Sequence, residues 1–164
     1  MIVCGIDPGK DGAIAGLDLD SREVVFKHVT PTLKSGKSKR EYDIVSMADI
    51  LRSHELGFVM IERQQAFPGQ GRSSAFQLGV GYGIWLGLLG ALAISHEIVS
   101  PRMWTGSLVR GSSGTGKGRN INAAKRLFPT LDLRATERSR KAHDGIADAV
   151  LIAEYGARRI RGRE

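Results

Sequence analysis

The apolar positions come first in blocks and later at helical spacing. The opening MIVCGID is apolar on both faces, as a central strand requires. PGKDG follows as a turn. AIAGLDLD and REVVFKHV then read as two strands joined through Asp20-Ser21, so the first three strands form an antiparallel meander. PTLKSGKSKR has no apolar periodicity and is expected to be a flexible basic loop. YDIVSMADILRSH spaces Ile44, Val45, Met47, Ala48 and Leu51 for an amphipathic helix capped near Asp43. GFVMIE is a fourth strand, residues 74–93 an apolar helix, and HEIVS a short fifth strand. Helices are predicted at 102–109 and 119–128, separated by the glycine-rich GSSGTGKG, and a last one at 141–159. This order predicts a single α/β domain over 1–164: a mixed five-stranded sheet, three strands antiparallel and then two parallel, flanked by helices.

The helix AFQLGVGYGIWLGLLGALAI is uncharged over a length close to a membrane span. It is short for that role, rich in glycine and without a basic anchor, so no membrane partner is expected. Gly79, Gly83 and Gly87 recur every four residues and leave one face as nearly bare backbone. Such a face suits close packing against a sheet, another helix or a second subunit.

Composition adds a partner class. The formal charge is +7, and it is uneven: residues 1–100 hold 10 Lys+Arg against 11 Asp+Glu, residues 101–164 hold 14 against 6. A basic second half points to a polyanion, or else to a merely soluble basic surface. Cys4 is the single cysteine and lies in a strand pattern, so disulfides and cysteine zinc sites within one chain are excluded. With no targeting segment ahead of the strand at Ile2, a reducing, cytoplasmic setting is expected.

Two strands end on acids. Glu62 closes the run Val59-Met60-Ile61, and Asp7 closes the first strand. A carboxylate there is costly to desolvate unless something positive meets it. If the two strands are parallel neighbours, both acids lie at the sheet edge where α/β folds place their sites; Asp7 could alternatively cap the Pro8-Gly9 turn. In KAHDGIADAVLIAEYGARR, residues 144, 148, 151, 152 and 155 share one helical stripe. Leu151, Ile152 and Tyr155 mark that stripe as buried, and Asp144 and Asp148 continue it. Gly145 is expected to keep the adjoining surface open. The helix dipole accounts for an acid at 144 better than for one a turn deeper at 148. Four carboxylates converging on one spot call for hard divalent cations, Mg²⁺ with Mn²⁺ as substitute. Two ions about 4 Å apart would suit phosphodiester cleavage. His143 is a further candidate, as ligand, as base or as a plain surface residue.

These stretches together resemble the RuvC family of Holliday junction resolvases, of the ribonuclease H-like superfamily. The resemblance rests on GIDPG at 5–9, VMIERQQAF with Glu62 as its acid, FQLGVGYGIWLG, and HDGIADAVLIAEYG in the form found in phage and organellar members. It runs over about residues 2–156. It implies a ribonuclease H-like fold and a homodimer built on the 76–93 helix. It also implies paired metal-dependent nicks in branched DNA, with Asp7, Glu62, Asp144 and Asp148 as catalytic metal ligands. A phage-encoded member would act in the host cytoplasm. Bacterial members commonly place the third acid three residues before the last, where this chain has Gly145; Asp144 lies four before, which keeps His143 in consideration. Arg63, Arg72, Arg102, Arg110, Lys117, Arg119, Lys125 and Arg126 are the candidate phosphate contacts. Phe67 either stacks on an unpaired base or packs its own loop.

GSSGTGKG approaches a Walker A loop but ends on Gly118 where Ser or Thr is needed, and no apolar strand leads into it, so no nucleotide cofactor is expected. Two other readings stay open. One is a ribonuclease H-like nuclease for other branched DNA or RNA–DNA hybrids. The other is a non-catalytic nucleic-acid-binding module.

Overall fold

The computed structural model describes residues 1–36 and 39–162; the side chain of Lys117 lies outside the described set. Strands β1 (Ile2–Asp7), β2 (Ala13–Asp18) and β3 (Val24–Val29) form the expected antiparallel meander. β4 (Thr32–Ser35) and β5 (Lys39–Tyr42) form a separate two-stranded antiparallel ribbon. Helix α1 (Ile44–Arg52) follows, then β6 (Leu56–Glu62), α2 (Arg72–Ala91), β7 (His96–Val99), α3 (Pro101–Leu108), α4 (Gly116–Leu127) and α5 (Asp144–Arg161). The main sheet runs β3-β2-β1-β6-β7, with β1–β6 and β6–β7 parallel. It is the five-stranded mixed sheet expected of a ribonuclease H-like fold.

Alternation along β1 divides the core between the two sheet faces. Cys4 and Ile6 join Val59 and Ile61 of β6, Met47 and Leu51 of α1, and Trp85 and Leu89 of α2. On the opposite face α5 lies close against the sheet, because Gly5 leaves no side chain in its way. A Cβ at Gly5 would overlap the Ala149 carbonyl oxygen and the Ala153 nitrogen. Farther along α5, a Cβ at Gly156 would meet Val3 and Met60. At its other end, one at Gly145 would overlap Asp11 and Gly12 in the β1–β2 turn. The helix therefore runs antiparallel to β1, with its N-terminus over the C-terminal end of that strand.

Four local expectations are corrected. Part of the stretch read as a flexible loop at 31–40 is the β4–β5 ribbon. With Leu33 and Tyr42 its only large apolar side chains among the described residues, the ribbon carries no period-2 hydrophobic signal. The second half of GSSGTGKG is the first turn of α4. On α5 the acids do not continue a single buried stripe: burial surrounds the helix from Gly145 to Ala157, and Asp144, Asp148 and Tyr155 are its less buried positions. Gly145 does not hold surface open either; it lets the helix touch the β1–β2 turn.

Two other features follow the sequence. Asp43 caps α1, accepting from the Ser46 N–H at 3.1 Å. Helix α2 is long and apolar enough to cross a membrane by length and composition alone. Here Gly81, Trp85 and Leu89 form a stripe buried on the domain's own core. The glycines at 79, 83 and 87 lie off that stripe, exposed, with nothing within 4 Å of where a Cβ would stand.

Gly5→Val tests the close approach of α5. The clash falls on backbone atoms that cannot swing aside, so a stability loss of about 1–3 kcal/mol or more is expected in urea unfolding. An unchanged midpoint would show that α5 does not rest on β1 in this way.

Candidate active site

The register of the two central strands sets the acids side by side. Ile6 pairs with Ile61 in the parallel ladder, so Asp7 and Glu62 are the next residues on adjacent strands about 4.8 Å apart. Both project to the α5 face, since Val3 and Met60 on the same alternations meet Gly156. The antiparallel course of α5 brings Asp144 and Asp148 to that same end of the sheet. Three elements distant in sequence thus deliver four carboxylates to one edge.

Glu62 is strongly perturbed by its surroundings. Burial pushes its carboxyl up to about 7, hydrogen bonds from Trp104 and Gln64 draw it back, and the nearby Asp148 charge adds to the rise. Trp104 Nε1 donates to Glu62 Oε1 at 2.9 Å, and Gln64 Nε2 to Glu62 Oε2 at 2.9 Å. Asn120 Nδ2 donates to Asp148 Oδ1 at 2.8 Å. Helices α3 and α4 thus each place one neutral donor on one acid of the repelling pair. Asp7 acts on Tyr42, whose phenol is raised by burial and then by the Asp7 charge.

The expectation that four carboxylates converge on a single spot is corrected in its detail. Among the described residues, no three Asp, Glu, His or Cys side chains form one close group. Like charges at one edge separate unless something positive lies between them. The donor set remains one of hard oxygen atoms, and the Glu62–Asp148 repulsion is what a divalent cation would relieve, so these residues fit a Mg²⁺-type ion.

His143 is the N-cap of α5: its Nδ1 accepts from the Ile146 N–H at 3.3 Å. In that neutral tautomer the proton is on Nε2, so the ring has no lone pair left for a cation.

The basic residues divide into groups. Arg102, Arg110 and Arg119 line an open cleft of about 570 Å³ between α3 and α4, beside Asn120. Arg63, Arg72 and Phe67 are exposed on or next to the β6–α2 connection, with Phe67 69% exposed and so not packing its loop. Lys125 and Arg126 lie near the far end of α4, and Arg126 is tied to the Leu108 carbonyl at 2.7 Å. Lys117, also expected here, has its side chain outside the described residues. Trp104, Gln64 and Asn120 escaped the sequence reading; the one signal was a tryptophan in a helical run, since a buried indole N–H usually finds an acceptor.

No protein-family model and no curated protein matches this chain. Solved structures do. Thermus thermophilus RuvC in complex with a Holliday junction substrate is 17% identical at a TM-score of 0.68, covering 99% of this chain and 96% of its own. The yeast mitochondrial Holliday junction resolvase Ydc2 is 18% identical at 0.59, covering 95% and 77%. Fowlpox virus resolvase, solved with a Holliday junction, is 14% identical at 0.51, covering 98% and 99%. The chain is therefore similar in fold to RuvC and other junction resolvases over almost its whole length.

Glu62 makes the metal-free protein pH-sensitive in a definite direction. Its folded carboxyl holds a proton up to about pH 7, while the ordinary value of 4.5 applies once the chain unfolds. Between these limits the folded state binds more protons, so stability falls as pH rises. Relative to Glu62→Gln, the wild type should lose at most about 3 kcal/mol from pH 4.5 to 7 in chemical denaturation. A difference that stays flat or rises would contradict the burial assigned to Glu62.

Proposed function

We propose that this chain is a divalent-cation-dependent endonuclease that resolves four-way DNA junctions by paired nicks, acting as a homodimer. The observation that carries the reading is the half-buried Glu62 set against Asp148 at the carboxyl end of the central strands, flanked by an arginine-lined cleft. A fold shared with junction resolvases supports the substrate class, and the basic second half supports a nucleic-acid partner.

Asp7, Glu62, Asp144 and Asp148 are the proposed ligands for Mg²⁺, with Mn²⁺ as substitute. When bound there, two such ions would supply an activated water and offset charge on the leaving oxygen. The chain's own residues do the rest. Trp104 and Gln64 fix the two oxygens of Glu62, and Asn120 fixes one of Asp148, so both carboxylates are held in place before substrate arrives. Arg102, Arg110 and Arg119 take phosphates of the strand entering between α3 and α4. Arg63 and Arg72 hold backbone on the α2 side, where exposed Phe67 stacks on an unpaired base. His143 serves as the helix cap and would enter as a ligand only by giving that up.

The pairing surface is the exposed glycine face of α2, where another backbone can approach Gly79, Gly83 and Gly87 without meeting side chains. A four-way junction offers two equivalent strands, and a two-fold dimer would present two equivalent acid centres to them.

Labelled four-way junction, linear duplex and RNA–DNA hybrid, incubated with Mg²⁺ side by side, test the reading. Symmetric nicks in the junction are expected, with the other two largely intact. Asp7→Asn, Glu62→Gln and Asp148→Asn should each abolish cleavage yet bind the junction, and Asp144→Asn should be more damaging than His143→Ala. Full cleavage by Asp148→Asn would overturn the acid centre. Gly83→Leu should dissociate the dimer in sedimentation and uncouple the two nicks; a Gly83→Leu protein that still dimerises and nicks in pairs would remove the α2 interface.

A further inference from the structure

The β4–β5 ribbon and its surroundings are used by nothing described so far. The ribbon meets the β1–β2 turn and the first turns of α2 around a cleft of about 440 Å³, lined by Lys10, Lys39, Arg40, Glu41, Ser73 and Gln77. Among the described residues that line it, the one carboxylate, Glu41, is engaged by the Ser35 hydroxyl at 2.7 Å. Lys10 Nζ is anchored by the Arg40 carbonyl at 2.5 Å and Gln77 Oε1 at 2.7 Å, and lies 5.3 Å from the centre of the Tyr42 ring. Tyr42 packs against Gly81 of α2 and lies within electrostatic reach of Asp7. The base of the ribbon is therefore fixed beside the acid edge.

A second observation is independent of the cleft. In the ribbon's register Lys34 stands directly opposite Arg40. Like charges facing each other across two strands are destabilising. An isolated two-stranded ribbon is marginal to begin with. Among the described residues, the salt bridge near the pair, Arg40 to Asp11 at 2.6 Å, is exposed on both sides and contributes little. The local arrangement thus opposes the ribbon's own stability, and a bound polyanion is what would reverse the sign. Placement agrees: Tyr42 belongs to the core on the α2 face, whereas Trp104 of the arginine cleft belongs to the core on the α5 face.

We infer that the β4–β5 cleft is a second binding site for the sugar-phosphate backbone of DNA, across the acid edge from the α3–α4 cleft, using Lys34, Lys39 and Arg40 on the ribbon with Ser73 and Gln77 as neutral donors. This rests on the reading of the chain as a DNA-binding nuclease. The two clefts then grip separate stretches of backbone on either side of the strand presented to the acids.

Fluorescence anisotropy with a labelled four-way junction in EDTA tests the site without cleavage. Two variants are compared with wild type across salt concentrations: Lys34→Ser/Lys39→Ser/Arg40→Ser, and the single change Lys34→Glu. The triple variant should bind at least roughly tenfold more weakly at 0.1 M salt, with the slope of log affinity on log salt shallower by about 2.7, near 0.9 for each of the three lost phosphate contacts. Lys34→Glu should also weaken binding, while turning the repulsive pair attractive and so leaving the thermal midpoint equal or higher. If Lys34→Glu is folded and both affinity and slope are unchanged, the second site is overturned. A wild-type protein that binds neither junction nor duplex would instead overturn the nuclease reading itself.

Discussion

The contact on which the rest depends is backbone against backbone: α5 on Gly5 of β1. Because no side chain separates them, the helix sits lower on the sheet than ordinary side-chain packing would allow, and Gly145 extends the contact to the β1–β2 turn. Burial of α5 on nearly every side follows from this, and so does the position of its first two turns. Asp144 and Asp148 reach the end of the sheet because the helix is seated there. A strand pair alone would offer only Asp7 and Glu62.

Acids collected in this way oppose one another, and the surroundings show how the opposition is managed. Glu62 is held toward its neutral form by burial, while α3 and α4 bring neutral donors to it and to Asp148. Both helices also line the arginine cleft, so the elements that orient the acids are those that carry Arg102 and Arg119. Orientation of the carboxylates and a positive cleft beside them are thereby built into one helical pair. The β4–β5 ribbon stands on the other face of the sheet, with its cations and its unfavourable Lys34–Arg40 pairing.

Much of this could be read from the chain because the signals were local. An apolar run ending on an acid marks Asp7 and Glu62 without any knowledge of their neighbours. The Asp43 cap was visible because capping involves residues three apart. The ribbon was hidden for a physical reason: Lys34, Ser35, Lys39 and Arg40 are polar in succession, so they give no hydrophobic alternation to detect. The α5 stripe was misjudged because small residues at 147, 149, 153 and 157 bury the faces that an amphipathic model leaves in solvent. Trp104 and Asn120 depend on how α3 and α4 pack onto strands far away in sequence, and no spacing rule carries that information. The glycines of α2 were legible as a bare face; only the structure showed that Gly81, Trp85 and Leu89 point to the sheet while 79, 83 and 87 do not.

The central claim is that the edge shared by β1, β6 and the start of α5 is a cation-holding acid centre. The most direct measurement is anomalous X-ray scattering from crystals of the wild-type protein soaked in Mn²⁺. The account predicts manganese between Asp7, Glu62 and Asp148, with Trp104 and Asn120 still bonded to their carboxylates. Well-occupied manganese elsewhere on the surface, with this edge unchanged and empty at saturating Mn²⁺, would contradict it.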